Sequence, residues 1–306
     1  MNRQFLEELE KIAGPVLMQE PMSGHTTFRV GGPADMLVRP KKEQLAPVIR
    51  LCRKYGESYC VIGNGSNLLV GDAGIRGLVI ETLTKEEDAA VHGARIEAGA
   101  GMLLSKTARL ALEHGLGGME FAAGIPGTVG GAVVMNAGAY GGEMKDIIES
   151  AVVIDGNGNE KELSAEELEL GYRSSCILPK GYLVKQVVLQ LTPGEAAAIK
   201  ARMEELRIQR TAKQPLEYPS AGSTFKRPEG YFAGKLIMDA GMRGYRVGGA
   251  QVSEKHCGFV VNRGGATARD IRKLIQDVSG EVQRQFGVTL EPEVKMIGEF
   301  THTTRI

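Results

Sequence analysis

The segment from Gly124 to Glu143, GIPGTVGGAVVMNAGAYGGE, contains seven glycines and not one basic side chain. It matches neither the G-x-x-x-x-G-K-[ST] pattern of nucleotide hydrolases nor the G-x-G-x-x-G pattern of dinucleotide folds. Glycine lets the main chain turn with positive φ and approach a ligand closely. A segment so rich in glycine and without a basic side chain therefore indicates a large, flat ligand held by main-chain amides rather than by a lysine.

Composition excludes several classes of function. The 306 residues include 37 Lys and Arg and 37 Asp and Glu, so no global field attracts nucleic acid or an anionic membrane. We therefore expect neither nucleic-acid binding nor membrane insertion, and any anion site must be local. The first residues, MNRQFLEELEKIAG, form an acidic amphipathic helical pattern without the apolar core of a signal peptide, which favours a soluble, cytoplasmic protein.

The cysteines carry no pattern of a metal or redox site. Cys52, Cys60, Cys176 and Cys257 form no C-x-x-C and no metal-ligand spacing with the five histidines. We expect reduced thiols that serve as small hydrophobes, with a redox role as the alternative, and no bound metal.

Hydrophobic periodicity predicts an α+β fold. Helical patterns cover residues 1–14, 45–55, 102–114, 195–210 and 268–286, and the last opens with the capping pattern Thr267-x-x-Asp270. Strand patterns cover residues 59–63, 77–81, 95–99, 151–155, 182–191, 257–262 and 288–298. The D-G-N-G at 155–158 is a hairpin turn, so part of the sheet is antiparallel, unlike a doubly wound nucleotide fold.

Another glycine-rich turn interrupts the apolar run VIGNGSNLLV, between Val61 and Val70. Successive amides of such a turn can bind a phosphate without a cation, although an ordinary tight turn is the alternative for this motif alone. In the segment from Gly124 to Glu143, GIPGT precedes a short helix at 129–135. We expect the N-terminal amides of that helix to face an anion. Two such loops without a P-loop lysine favour a dinucleotide held as a cofactor.

A third stretch, HTTFRVGGPADMLVRP at 25–40, predicts a strand over 28–30 that ends in a turn. The motifs TFRVGGPA, VIGNGSNLLV and AAGIPGTVGGAVVMNAGAYGGE occur here in the order and at the spacing of one family. With GYRSS, PSAGSTFKRP and LEPEVKMIGE further along, the chain resembles the UDP-N-acetylenolpyruvoylglucosamine reductases, also called UDP-N-acetylmuramate dehydrogenases, over nearly its whole length.

The resemblance implies an α+β architecture with a bound cofactor. It implies an FAD-binding unit of the vanillyl-alcohol-oxidase type, made of two α+β subdomains at 1–84 and 85–195. A C-terminal α+β substrate-binding domain would follow at 196–296, and residues 297–306 would return to the first subdomain. FAD would be held without a covalent bond by residues of the two glycine loops: Gly63, Asn64, Gly65, Ser66, Asn67, Ile125, Pro126, Gly127, Thr128 and Gly130.

The resemblance also implies a reaction of peptidoglycan precursor synthesis. NADPH would reduce the FAD, which would then pass a hydride from N5 to C3 of UDP-N-acetylenolpyruvoylglucosamine, and a proton added at C2 would complete UDP-N-acetylmuramate. By the same resemblance, Arg173 would stabilise the enolate and Ser223 would donate the proton. Glu293 would hydrogen-bond the carboxyl or relay a proton, which requires a raised pKa. Alternation places Glu291 on the same strand face, and only the match to LEPEV selects Glu293.

Three further residues match positions that bind substrate in this family. Lys213, just past the long helix, would bind the diphosphate and the phosphates of NADPH, and Tyr172 and His256 would line the same pocket. His256 stands where some relatives have glutamine, and Arg227 where some have asparagine. Leu191 runs almost directly into the long helix, so the chain resembles the short type that lacks an inserted tyrosine loop.

Two other functions remain open at this point. A flavin oxidase of the same FAD fold would share the glycine loops but should lack the set Arg173, Ser223 and Glu293. A protein that binds a nucleotide sugar without turning it over would need the loops alone and would show no flavin absorbance.

Overall fold

The computed structural model describes residues 2–84 and 88–300. The helices in this part of the chain are α1 Arg3–Ala13, α2 Leu45–Tyr55, α3 Leu104–Glu113, α4 Val129–Val134, α5 Ala196–Lys213, α6 Ala233–Asp239 and α7 Ala268–Phe286. All the helices predicted from periodicity are present. The start of α7 is fixed by the predicted cap, because the Thr267 side chain accepts a hydrogen bond from the amide of Asp270. Residues 301–306 of the predicted C-terminal return lie outside the described residues.

The strands form three larger sheets and several short pairs. They are β1 Leu17–Pro21, β2 Pro33–Val38, β3 Tyr59–Ile62, β4 Leu68–Val70, β5 Ile75–Glu81, β6 Ala89–His92, β7 Arg95–Gly99, β8 Leu116–Gly117, β9 Gly138–Ala139, β10 Gly142–Glu143, β11 Ile148–Ile154, β12 Glu160–Ser164, β13 Leu183–Gln190, β14 Thr192–Pro193, β15 Ser220–Ser223, β16 Arg246–Val247, β17 Ala250–Val252, β18 Phe259–Asn262 and β19 Lys295–Ile297. The larger sheets have the orders β1-β2-β5-β3, β12-β11-β13-β7-β6 and β15-β18-β17-β16.

Both parallel and antiparallel pairs occur, as the α+β prediction requires. Strand β3 pairs with β5 in parallel and β19 with β4 in parallel, whereas each neighbouring pair of the five-stranded sheet is antiparallel. The predicted hairpin turn joins β11 to β12. Its Asp155 carboxylate accepts hydrogen bonds from the amides of Asn157 and Asn159, at 2.8 and 2.9 Å, which fixes the turn.

Two strand predictions are wrong. Residues 28–30 form no strand, because Arg29 has a left-handed φ of 55° and its amide donates to Thr26, so that β2 begins only at Pro33. Of residues 288–298, only Lys295–Ile297 is a strand. Pro292, which has no amide to donate, meets Phe225 in an isolated bridge before that strand begins.

The chain divides into two compact units. Among the described residues, unit 1 comprises 2–17, 37–64, 78–84 and 88–210, and unit 2 comprises 18–36, 65–77 and 211–300. In unit 1 the core is formed by the five-stranded sheet with α3 and α4. In unit 2 the apolar stripe of α7, which includes Ile271, Leu274 and Val278, packs with residues of β17 and β18.

Candidate active site

In chain order, the first glycine loop is residues 63–67 and the second is residues 124–130. Residues 63 and 64 of the first loop contact the second loop within unit 1. The side-chain amide of Asn64 donates a 2.6 Å hydrogen bond to the carbonyl oxygen of Pro126, although 62 positions separate them. Beside it, a Cβ atom on Gly63 would lie 2.3 Å from Thr128 Oγ1, closer than a real Cβ approaches any atom. Glycine at position 63 thus lets the first loop contact the second.

The helix after the second loop does not offer its amides to an anion, so that prediction is wrong. The amide of Val129 donates to the carbonyl of Met102, and the amide of Gly130 donates to Ala100, both at 2.8 Å. The amide of Gly131 donates to Thr128 Oγ1, the N-cap of α4. Gly130 also packs closely, because a Cβ on it would lie 2.7 Å from the Cβ of Ala100. The start of α4 is therefore used to join the loop to the β7–α3 connection.

The first loop, by contrast, leaves polar groups for a ligand. Within the described residues, the backbone amides of residues 63–66 donate to no protein acceptor. Gly65 is buried with a φ of 58°, and its carbonyl accepts from the amide of Thr27. The hydroxyl oxygen of Thr27 is buried and has no hydrogen-bond partner in the described part of the chain. Buried polar groups normally find partners, so these residues fit the phosphates and hydroxyls of a dinucleotide such as FAD.

Arg173 lies on a strained turn of unit 1. Gly171 and Ser174 exchange backbone hydrogen bonds of 3.1 and 3.2 Å around Tyr172 and Arg173. Arg173 has a left-handed φ of 54°, which costs an arginine about 1–2 kcal/mol and is typical of functional positions. Its Nη2 donates to the carbonyl of Gly138 at 3.2 Å, and its guanidinium lies 5.2 Å from the centre of the Tyr172 ring.

Arg210 is a residue that the sequence analysis missed. A Cβ on Gly124 would lie 3.1 Å from Arg210 Cδ, so this glycine makes room for the arginine beside the second loop. Burial lowers the pKa of the Arg210 guanidinium. The loop without a basic side chain of its own therefore has a half-buried cation against it, supplied by α5. No local pattern could reveal this, because the two residues are distant in the sequence.

In unit 2, the backbone of Glu293 is hydrogen-bonded to Thr224, the residue that follows Ser223. Ser223 is the last residue of β15, and the carbonyl of the next residue, Thr224, accepts from the amide of Glu293 at 2.8 Å. Asn67, in the first glycine-rich turn, donates from Nδ2 to the carbonyl of Glu293 at 3.1 Å. Glu291 is instead 67% exposed at its side chain and forms an ion pair with Lys226. The choice of Glu293 over Glu291 as the residue that acts with Ser223 stays a prediction.

Lys213 and His256 also belong to unit 2. Lys213 is the last residue of α5, not a residue beyond it as predicted. His256 Nδ1 accepts from the amide of Gly258 at 3.1 Å, and its ring packs edge-on against Phe259 with centroids 5.0 Å apart. Burial lowers the pKa of His256, and the positive charge of Lys213 acts in the same direction. Tyr172, the third predicted substrate residue, lies in unit 1 and is 53% exposed.

We expected neither a metal site nor a membrane-spanning helix, and the structure bears on both for its described residues. In residues 2–84 and 88–300 no group of three or more His, Cys, Asp or Glu side chains could hold a metal ion. In the same residues none of the helices has both the length and the apolar composition to span a bilayer. The four cysteines are free thiols, and burial raises the pKa of Cys52 to about 12 and that of Cys60 to about 11.

Comparison with known proteins gives matches to the segment that contains both glycine loops and to the C-terminal part of the chain. Residues 34–164 match a family model described as FAD binding domain, and residues 214–297 match that of the C-terminal domain of UDP-N-acetylenolpyruvoylglucosamine reductase. The reductase of Agathobacter rectalis is 54% identical over 98% of this chain and 100% of its own length. This chain belongs to the UDP-N-acetylenolpyruvoylglucosamine reductase family. The Lachnoclostridium phytofermentans reductase is 56% identical over 98% of this chain and 99% of its own.

A solved structure of the same family supports the fold. The UDP-N-acetylenolpyruvylglucosamine reductase of Thermus caldophilus is 37% identical, with a TM-score of 0.78 over 92% of this chain and 98% of its own. The resemblance drawn from the six collinear motifs is thereby confirmed, and so is the predicted FAD-binding unit, whose family model spans both glycine loops. Members of the UDP-N-acetylenolpyruvoylglucosamine reductase family are FAD-dependent oxidoreductases, and the chain is an enzyme of that kind.

Proposed function

We propose that this chain reduces UDP-N-acetylenolpyruvoylglucosamine to UDP-N-acetylmuramate with NADPH and a bound FAD, in the cytoplasm, as a step of peptidoglycan precursor synthesis. Full-length identity to reductases of that name supports the substrate. The observation that carries the proposal is the hydrogen bond from the Glu293 amide to the carbonyl of Thr224, the residue that follows Ser223.

The residues of this chain would bind and orient the enolpyruvyl substrate and donate the proton. Bound FAD supplies the hydride chemistry between NADPH and the enolpyruvyl group. The planar guanidinium of Arg173 would pair with the enolpyruvyl carboxylate, where it stabilises negative charge that develops during reduction. The Ser223 hydroxyl would donate the proton at C2, and Glu293 would hydrogen-bond the same carboxyl group or return a proton to Ser223.

The binding residues take the charged ends of the ligands. Lys213 would hold the substrate diphosphate and the NADPH phosphates, and His256 and Tyr172 would bind the same ligands. His256, held with a lowered pKa, is neutral near pH 7 and acts there as a hydrogen-bonding group rather than a cation. The amides of residues 63–67 and the loop 125–128 would hold the FAD diphosphate. We also propose that residues 1–84 and 85–195 form the two FAD-binding subdomains and that residues 196–296 form the substrate-binding domain.

An anaerobic spectroscopic experiment tests the proposal. The purified protein should show a flavin absorbance band that bleaches on addition of NADPH and returns on addition of UDP-N-acetylenolpyruvoylglucosamine. A band that returns with oxygen but not with the nucleotide sugar would point to a flavin oxidase instead. A colourless protein that cannot take up FAD would contradict the assignment of both glycine loops.

A further inference from the structure

Asn136 is completely buried and uses every hydrogen-bonding group of its side chain. It is 0% exposed and has a left-handed φ of 39°. Its Nδ2 donates to Glu143 Oε2 and to the carbonyl of Gly171, both at 3.0 Å, and its Oδ1 accepts from the amide of Lys145 at 2.9 Å. A carboxylate and a carbonyl face the nitrogen and an N–H faces the oxygen, so the orientation of this amide is fixed by its partners.

The bond to Gly171 attaches Asn136 to the turn that carries Arg173. The Gly171 carbonyl also accepts from the amide of Ser174, which closes that turn. A second side chain, Ser175, donates from Oγ to the carbonyl of Val134 at 2.9 Å. Gly171, which begins the turn, and Ser175, which follows it, are thus tied to residues 134–136 at the C-terminal end of α4.

The other bonds of Asn136 tie the same site to the hairpin of β9 and β10. Glu143, at the end of β10, accepts from Asn136 and forms an ion pair with Lys145. The carbonyl of Gly138, at the start of β9, accepts from the Arg173 guanidinium. Asn136 therefore connects the backbone beneath Arg173 with the hairpin that its side chain contacts.

The backbone alone does not explain this residue. A left-handed φ suits glycine best, and glycine occurs at many such positions in this chain. An asparagine there adds three hydrogen bonds, of which the one to Gly171 reaches 35 positions along the chain. Burying a side-chain amide without partners is costly, and here three hydrogen bonds offset that cost.

We propose that Asn136 is a positioning residue for the reaction, which acts through the Gly171–Ser174 turn to hold the Arg173 guanidinium in its productive place. The inference rests on the proposed role of Arg173. It gives the second half of the glycine-rich segment, MNAGAYGGE, a task distinct from cofactor binding: the first half forms the cofactor loop, and the second half supports the arginine.

The test is the variant Asn136→Asp, which keeps the acceptor for the Lys145 amide but replaces the donor to both Gly171 and Glu143 by an oxygen. Stopped-flow measurements on the FAD-loaded protein should show flavin reduction by NADPH nearly unchanged. Reoxidation by UDP-N-acetylenolpyruvoylglucosamine should slow about 10-fold to 100-fold, as expected for a displaced catalytic group. Asn157→Asp makes the same change of charge on the exposed β11–β12 turn and should alter neither rate.

A double-mutant cycle separates positioning from a general structural role. If Asn136 acts through Arg173, the variant with both Asn136→Asp and Arg173→Ala should reoxidise no more slowly than Arg173→Ala alone. Ser175→Ala removes the second tether with less disturbance, and the same cycle applies to it should Asn136→Asp fail to fold.

Three results would overturn the inference. One is an additive cycle, and another is an equal slowing of both half-reactions. The third is a normal rate of reoxidation in Asn136→Asp together with a slow rate of reoxidation in Arg173→Ala. This third result would not contradict the proposed function. If Arg173→Ala itself reoxidises normally, the role proposed for Arg173 is wrong, and the inference that depends on it fails with it.

Discussion

Gly63 approaches the side chain of Thr128 so closely that a Cβ on Gly63 would lie 2.3 Å from Thr128 Oγ1. Thr128 is 1% exposed, and its hydroxyl accepts from the amide of Gly131 at the start of α4. The threonine cannot move aside without giving up that cap. The contact between the two glycine loops therefore depends on the absence of a single methyl group.

We expect Gly63→Ala to weaken FAD binding. Overpacking of this kind costs about 1–3 kcal/mol, which corresponds to an FAD dissociation constant raised roughly 5-fold to 150-fold if the loops separate to relieve it. Titration of the FAD-free protein with FAD, followed by flavin fluorescence, measures the change. Gly156→Ala is the control, because nothing lies within 4 Å of its added Cβ. Unchanged affinity in Gly63→Ala would show that the loop contact does not support the cofactor.

Ser223→Ala should separate the two halves of the reaction. Flavin reduction by NADPH should stay nearly intact, because it needs no proton from this hydroxyl. Reoxidation by the enolpyruvyl substrate should fall about 10²-fold to 10⁴-fold, the usual contribution of a general acid. Stopped-flow absorbance measures both steps, and Ser220→Ala on the same strand should change neither. Equal slowing of both steps in Ser223→Ala would contradict the role of proton donor.

The sequence predicts the elements whose signals are local. Helix α7 has its cap at Thr267, its apolar stripe and its end at Phe286 within one segment, and both ends agree with the structure. Residues 288–298 have an alternating pattern that is equally local, yet only three of them form a strand. Their hydrogen bonds go to distant residues, as when the amide of Lys226 donates to Glu291, and periodicity contains no information about such partners.

In the candidate site, too, some features have a local sequence signal and others do not. The glycine turns could be found from the sequence, because glycine has specific backbone roles. Arg210 could not, since only the folded chain brings it against Gly124. Asn136 likewise gives no signal of its own within MNAGAYGG, and its task becomes visible only when Gly171 lies beside it.

Lys213→Met should weaken binding rather than chemistry. A charge-assisted hydrogen bond to phosphate contributes about 1.5–3 kcal/mol, so KM for both NADPH and the nucleotide sugar should rise roughly 10-fold to 100-fold. The value of kcat should change little, because the phosphates are not altered in the reaction. Steady-state kinetics with each substrate varied in turn measures this, and Lys200→Met on the same helix is the matched control. A lower kcat at unchanged KM would place Lys213 in the chemical step instead.

His256 should make stability depend on pH in a defined window. Burial lowers its pKa in the folded protein, whereas an unfolded histidine titrates near pH 6.5. Between those two pKa values the unfolded chain binds more protons, so the free energy of unfolding falls as the pH decreases through about 6.5. In His256→Gln the side-chain oxygen can still accept from the Gly258 amide but does not titrate. Urea unfolding at several pH values should therefore show the wild-type chain losing stability relative to His256→Gln below about pH 6.5. A difference between the two chains that stays constant across the window would mean that His256 is not held neutral in the folded state.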